Sequence, residues 1–324
     1  MPVFSYPALF TTAPTVDPVM LLILGILMDA LAGGARVTRV VPGPTLLLDR
    51  MVRYLEPKLN RSRRTTGTRL VRGLLLVVFV ALVAALAGLG FLILARWLPG
   101  SWVIEVALIA ALLGQGTVFM DVIRARATNV APNNDPHQIA RDQVETLAHG
   151  FIDRGVAPLF WFLMLGLPGM LIYRALAVTA RRVGNWDRAF RFGWAAARCY
   201  DVATVLPAIL GSLVLVAAGF FVPQAAPLRG LGIMVRRGGA FPSFAQGWPI
   251  AAVAGVLGLS LGGPRPEAKD DRVFAGVSDI PWIGAKDGRA RANDADVRRA
   301  LFLYGIAGLL MMATALFAAF IFAA

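Results

Sequence analysis

The stretch QVETLAHGFIDRGVAPLFW, from Gln143 to Trp161, sets Glu145, His149, Asp153 and Arg154 directly ahead of a strongly apolar run. Charge is expensive in lipid, so ionisable groups at the mouth of a membrane helix point to a site. Glu145, His149 and Asp153 are spaced i, i+4, i+8, which puts two carboxylates and an imidazole on one face if the segment is helical. A solvated first turn biased towards acids gives the same pattern without chemistry. Asp29, Asp187 and Asp201 add carboxylates elsewhere, among Arg141, Arg154, Arg174, Arg181, Arg182 and Arg198. Such oxygens suit Mg²⁺ held together with substrate phosphates, and guanidinium groups suit clamping of phosphate or carboxylate. Acid and base rows beside a membrane also serve as plain anchors and salt bridges.

Other chemistries lack their starting motif. There is no GxxxxGK[ST] or HExxH, which removes P-loop and zincin readings. A single Cys199 excludes a disulfide framework within one chain and a zinc site of several cysteines. With only His137 and His149, a histidine-rich metal centre is excluded too.

The elements that must position these residues are membrane helices. The 324 residues are 57% hydrophobic and 16% charged, too apolar for an ordinary soluble domain. The net charge of +13 reads as a basic cytoplasmic face rather than as nucleic-acid binding. An all-α fold is expected, a single polytopic helical bundle over 1–324. Its spans are 18–35, 74–95, 102–120, a broken or re-entrant 155–178, 202–222, 248–263 and 300–323. Cytoplasmic loops are expected at 36–73, 121–154, 179–201 and 264–299. Gly166-Leu167-Pro168-Gly169 interrupts the fourth segment, because Pro168 removes a backbone donor where lipid offers no substitute. If that segment returns to its own side, 28 of the 32 Lys and Arg fall on one face, as the positive-inside tendency requires. Thr45 is placed to cap a helix whose Leu48, Met51, Val52, Leu55 and Leu59 form one stripe opposite Arg50, Arg53 and Lys58. Such a helix lies at the membrane interface or packs in a cytoplasmic subdomain. Pro132–Pro136 is expected as a loop and Pro223–Gly247 as another, on the opposite side from 264–299.

Four segments in order, QVETLAHGFIDRGVAPLFW, GLPGMLIYRAL, FGWAAARCYDVATVLPAIL and AAVAGVLGLSLGGP, resemble the membrane-bound adenosylcobinamide-phosphate synthases of cobalamin biosynthesis. The likeness runs from Asp29 to the last span. Glu145, Asp153, Pro158, Phe160 and Trp161 match the family's pattern, while His149, Gly150 and Arg154 stand where Glu, Asn and Gly are usual. The resemblance implies ligase activity: ATP- and Mg²⁺-dependent amide formation between adenosylcobyric acid and aminopropanol or its phosphate. It implies Glu145, Asp153 and Asp201 as catalytic residues meeting in one pocket, with Glu145 and Asp153 towards metal. Asp29, Arg141, His149, Arg174, Arg198 and Trp161 are implied for substrate and phosphate. The implied cofactors are Mg²⁺ and ATP. The expected partners are the lipid bilayer, a corrinoid substrate and a membrane protein or a second copy; the expected location is the bacterial inner (cytoplasmic) membrane. The alternative is a catalytically degenerate paralogue acting as a membrane subunit, regulator or partner-binding protein. The broken helix also admits a transporter, although no inverted repeat is present.

Overall fold

The computed structural model describes residues 18–32, 43–60, 65–128, 135–184, 192–263, 280–285 and 287–323. Pro132, Asn133, Asn134, Asp187 and the loop stretches 33–42 and 264–279 lie outside the described residues. Along the chain run α1 (Pro18–Ala32), α2 (Pro44–Leu59), α3 (Thr66–Ala95), α4 (Ser101–Leu112), α5 (Gln115–Thr128) and α6 (Pro136–Phe151). A π-turn (Ile152–Val156), α7 (Ala157–Val183), α8 (Trp194–Ala218), α9 (Pro227–Arg237) and α10 (Phe244–Leu257) follow. β1 (Ser260–Gly262), β2 (Trp282–Gly284) and α11 (Asp294–Ala323) complete it. Among the described residues four helices are long and apolar enough to cross a membrane, five if the bent pair α4–α5 counts as one. The protein is an all-α polytopic membrane bundle, and the two three-residue strands are its only sheet among the described residues. Helices suit this setting because each satisfies its own backbone where water is absent.

The helices group into two compact units, one of Met1–Gly116, Ala157–Tyr200 and Met312–Ala324, the other of Thr117–Val156 and Asp201–Met311. In the first, α3 buries Leu76, Val80, Ala84, Gly88 and Leu92, four residues apart, and packs that stripe on α7. Its opposite stripe, including Leu75, Val78, Leu82, Leu86 and Ile93, is exposed and apolar, the pattern of a lipid-facing helix. A Cβ at Gly88 would stand 2.7 Å from Pro168 Cα, so the glycine lets the helices meet backbone to backbone. Gly166 makes the expected break in α7: its φ of 66° and ψ of −156° lie in a region essentially confined to glycine. The amphipathic α2 buries Leu48 and Val52 while Arg50, Arg53 and Lys58 stay exposed. Its N-cap is Gly43, with Pro44 opening the helix. Thr45 is therefore inside the first turn and caps nothing, because proline's fixed φ starts the helix one residue earlier.

Two expected spans are shorter or bent. Helix α1 has 15 residues, about 22 Å at 1.5 Å each. The run 102–120 is not straight, turning by 42° between α4 and α5. Asp29 braces that bend: Oδ1 accepts the N–H of Gly114 and Oδ2 that of Gly116, each at 3.1 Å. A carboxylate at the start of α5 satisfies donors that no turn of helix precedes.

In the second unit the sequence-based topology needs correction. The run 248–263, expected as a span, is not one continuous helix. Helix α10 ends at Leu257, Gly258 (φ 69°) turns the chain, and 260–262 is strand. From Ala245 to Leu257 every residue but Trp248 is buried, so this helix, apolar all round, forms a protein core rather than a lipid surface. The supposed loop 223–247 contains α9, which lies antiparallel against α10. A Cβ at Gly255 would be 2.6 Å from Gly230 Cα, and one at Gly238 2.9 Å from the Trp248 ring. Both ends of this hairpin stand at one end of the unit: Ala226 N–H donates to Val256 O at 2.9 Å, and Arg229 pairs with Asp287. Arg299 also donates to Gln224 O at 2.8 Å. Residues 224–229 thus share an end of the unit with 287–299, joined by a hairpin of two helices of 11 and 14 residues.

Candidate functional site

Helix α6 begins at Asp135, whose Oδ1 accepts the His137 N–H at 3.0 Å, an ordinary N-cap. One face then carries His137, Arg141 and Glu145 at i, i+4, i+8, and all three reach the segment after α10. His137 Nδ1 lies 2.8 Å from Ala292 O; a carbonyl only accepts, so that nitrogen carries the proton. Arg141 donates to Ala290 O at 2.8 Å, with its guanidinium 5.1 Å from the Trp282 ring centre. Glu145, buried, accepts the backbone N–H of Gly262 at 2.7 Å. Strands β1 and β2 pair antiparallel, Leu261 opposite Ile283, and this small lobe is held on α6 by those three side chains.

The face continues only as far as His149, whose ring is 6.3 Å from that of Phe241. Asp153 and Arg154 sit in the π-turn, which adds a residue to the turn and takes Asp153 off the α-helical register. The expected stripe of Glu145, His149 and Asp153 is broken there. Arg154 Nη1 donates to Thr117 Oγ1 at 3.2 Å, and Asp153 is half-buried. Room for the wide turn comes from Gly211 on α8, where a Cβ would stand 3.0 Å from Val156 Cγ2.

Asp201, buried in α8, accepts the hydroxyl proton of the fully buried Ser243. Ser243 precedes the first turn of α10, and Gln246 follows one turn on, its Oε1 buried and without a hydrogen-bond partner. Ser243, Gln246 and Gly262 are not among the site residues expected from the sequence. The signal for the first two was the Ser-x-x-Gln of a capping box ahead of an apolar run. For Gly262 it was the Gly-Gly pair, at φ 80° and 82°.

The remaining residues lie in the first unit. Asp29 is committed to Gly114 and Gly116, as above. Arg174, in the middle of α7, is buried and acts electrostatically on Asp29. Arg198 and Trp161 are half-buried, and Trp161 packs edge-to-face on Phe160 with ring centres 5.6 Å apart.

For metal the donor set is thin. Among the described residues no three of His, Cys, Asp and Glu converge as a metal site, so Glu145, Asp153 and Asp201 do not form one carboxylate cage. Glu145 and Asp201 each hold a separate protein donor.

The CobD/Cbib protein family model matches residues 130–304, which contain α6, the π-turn, the α9–α10 hairpin and the lobe. The chain is 31% identical over 317 residues to the cobalamin biosynthesis protein CobD of Rhizobium meliloti (strain 1021), covering 88% of this chain and 92% of the relative. It is 33% identical over 285 residues to the protein of that name from Rhodobacter capsulatus, covering 81% and 84%. To that of a Sinorhizobium species it is 30% identical over 280 residues, covering 79% and 84%. No solved structure matches.

Proposed function

This chain belongs to the CobD/Cbib family, and from that premise we propose that it works in cobalamin biosynthesis, at the bacterial cytoplasmic membrane, as an amide-forming ligase. Its substrates are adenosylcobyric acid, aminopropanol or its phosphate, and ATP. The corrinoid carboxylate and the amine become an amide, and ATP cleavage takes up the oxygen that is lost. The observation carrying this reading is the length of the match, which reaches 92% of a relative named for this pathway. Mg²⁺ enters as part of the Mg·ATP substrate, held through phosphates, since the described residues build no cage for it.

In this reading α6 has two tasks. His137, Arg141 and Glu145 hold the lobe, and the π-turn presents Asp153 and Arg154. Arginines such as Arg154 and Arg141 neutralise phosphate, and the membrane bundle provides the platform against which a large corrin is oriented.

The test supplies the detergent-purified protein with ATP, Mg²⁺, adenosylcobyric acid and aminopropanol phosphate. Adenosylcobinamide phosphate and ADP or AMP should appear together, and the gene should rescue a strain lacking the synthase. No turnover combined with no rescue would remove the proposal.

A further inference from the structure

The hairpin of α9 and α10 runs beside the apolar length of α8. At its open end, a Cβ at Gly219 would stand 3.3 Å from Pro227 Cγ and 2.9 Å from Val256 Cγ1, so both legs of the hairpin rest on the last residues of α8. At its tip, Ser243 donates its hydroxyl proton to Asp201, near the other end. Asp201 and Gly219 belong to one continuous helix and lie about 27 Å apart along it at 1.5 Å per residue. The run 202–222 carries no charge and matches the roughly 30 Å of a hydrocarbon core. The hairpin therefore reaches from one edge of that core to the other.

Helix α9 has two kinds of surface outside its contact with α10. Leu228, Leu231 and Val235, three and four apart, are exposed and form one apolar stripe, as Leu206, Leu210, Leu213 and Phe220 do on α8. Stripes of this kind at this depth meet acyl chains. Arg236 and Arg237 close the helix and are exposed too. The stretch 223–247 holds no acid, and Asp287 is paired with Arg229. Directly after the two arginines, the Gly238 carbonyl lies against Gly247, one turn of α10 from Ser243. Arg236 and Arg237 thus stand near the Asp201 edge of the core, not at its middle. There a long side chain lays its stem along apolar surface and puts its guanidinium among headgroups.

We infer that Arg236 and Arg237, at the end of the stripe formed by Leu231 and Val235, make a docking surface for an anionic phospholipid. Each guanidinium offers paired donors to phosphate oxygens, and the stripe receives the acyl chain. A zwitterionic lipid brings the same phosphate with its own cation attached, so surplus negative charge is what the arginines select. The bound lipid fixes the depth of the hairpin tip, and with it the contact between Ser243 and Asp201.

The test reconstitutes the full chain in vesicles of phosphatidylcholine with phosphatidylglycerol as the minor component. On a Cys199→Ser background, Val235→Cys carries a bimane label, and either lipid is brominated on its acyl chains as the quencher. Per mole of lipid, brominated phosphatidylglycerol should quench on the order of tenfold more effectively. Arg236→Gln with Arg237→Gln should bring the two lipids level, and Arg236→Lys with Arg237→Lys should keep most of the preference. Equal quenching by both lipids with the arginines intact, or a preference that survives the Gln pair, overturns the inference. Quenching by aqueous iodide alone would put the stripe in water, and quenching by nothing would put it against protein, a second copy included; either result overturns it as well. Leu231→Cys serves where Val235→Cys does not fold. No arm reads turnover, so the ligase reading stands or falls separately.

Discussion

The carboxylate of Glu145 accepts the backbone N–H of Gly262 at 2.7 Å, tying α6 to the first strand of a lobe far along the chain. Replacing Glu145 by Ala leaves that buried N–H without an acceptor, which costs on the order of 1–3 kcal/mol. Glu145→Gln keeps an acceptor oxygen of the same reach. The Ala variant should melt several degrees below wild type in detergent, and the Gln variant should stay near it. Equal losses in both would show that the charge, not the hydrogen bond, matters.

Gly262 and Gly263 should resist substitution. Both have positive φ, and a Cβ on Gly262 would lie 2.5 Å from Pro281 O, one on Gly263 2.5 Å from the Trp282 ring. Gly262→Ala should destabilise by roughly 2 kcal/mol or more, combining left-handed strain with the clash. Gly90→Ala, at a helical site with no atom within 4 Å of its Cβ, should be neutral or stabilising. Thermal unfolding of the two variants side by side checks the contrast.

Acid should loosen α9 from the lobe. The Arg229 guanidinium, hydrogen-bonded to Asp287, holds that carboxyl below the usual aspartate range. A depressed pKa contributes stability above the unfolded value, near 3.9, and loses it as pH falls through the folded one. Hydrogen exchange in 227–237 should therefore rise below about pH 4, and Asp287→Asn should show the faster exchange already at neutral pH. Unchanged exchange across that window would refute the coupling.

Labelling can decide where 224–229 lies. With Cys199→Ser as background, Leu228→Cys and Arg291→Cys should react with a membrane-impermeant maleimide from the same side, since Arg229 and Asp287 are paired. Reaction from opposite sides would restore the topology expected from hydropathy.

The sequence carried the helical architecture because lipid exposure and helix length leave a plain hydropathy trace, as in α3 and α8. It did not show where α10 stops at Leu257, because an apolar 14-residue stretch looks alike whether lipid or protein surrounds it. Helix α9 escaped notice because Gly230 and Gly232 suggest a loop, whereas Gly230 serves close contact with Gly255. The π-turn leaves no mark in composition, so the spacing of Glu145, His149 and Asp153 was read as a continuous helix. Asp29 was legible as an acid that must face protein, but not as the brace of a bend 85 residues away. The hydroxyl of Ser243 meets Asp201 only after α9 and α10 fold back, a tertiary fact beyond local pattern.

The corner at Gly166 sets a limit on what this chain can become. With φ 66° and ψ −156°, the polypeptide changes direction there only because a hydrogen stands where every other residue would carry a carbon. Descendants of this sequence can exchange most of their greasy surface freely, yet any side chain at that corner would sit in a backbone conformation that L residues rarely adopt. Heritable variation at the joint is thereby reduced to one letter.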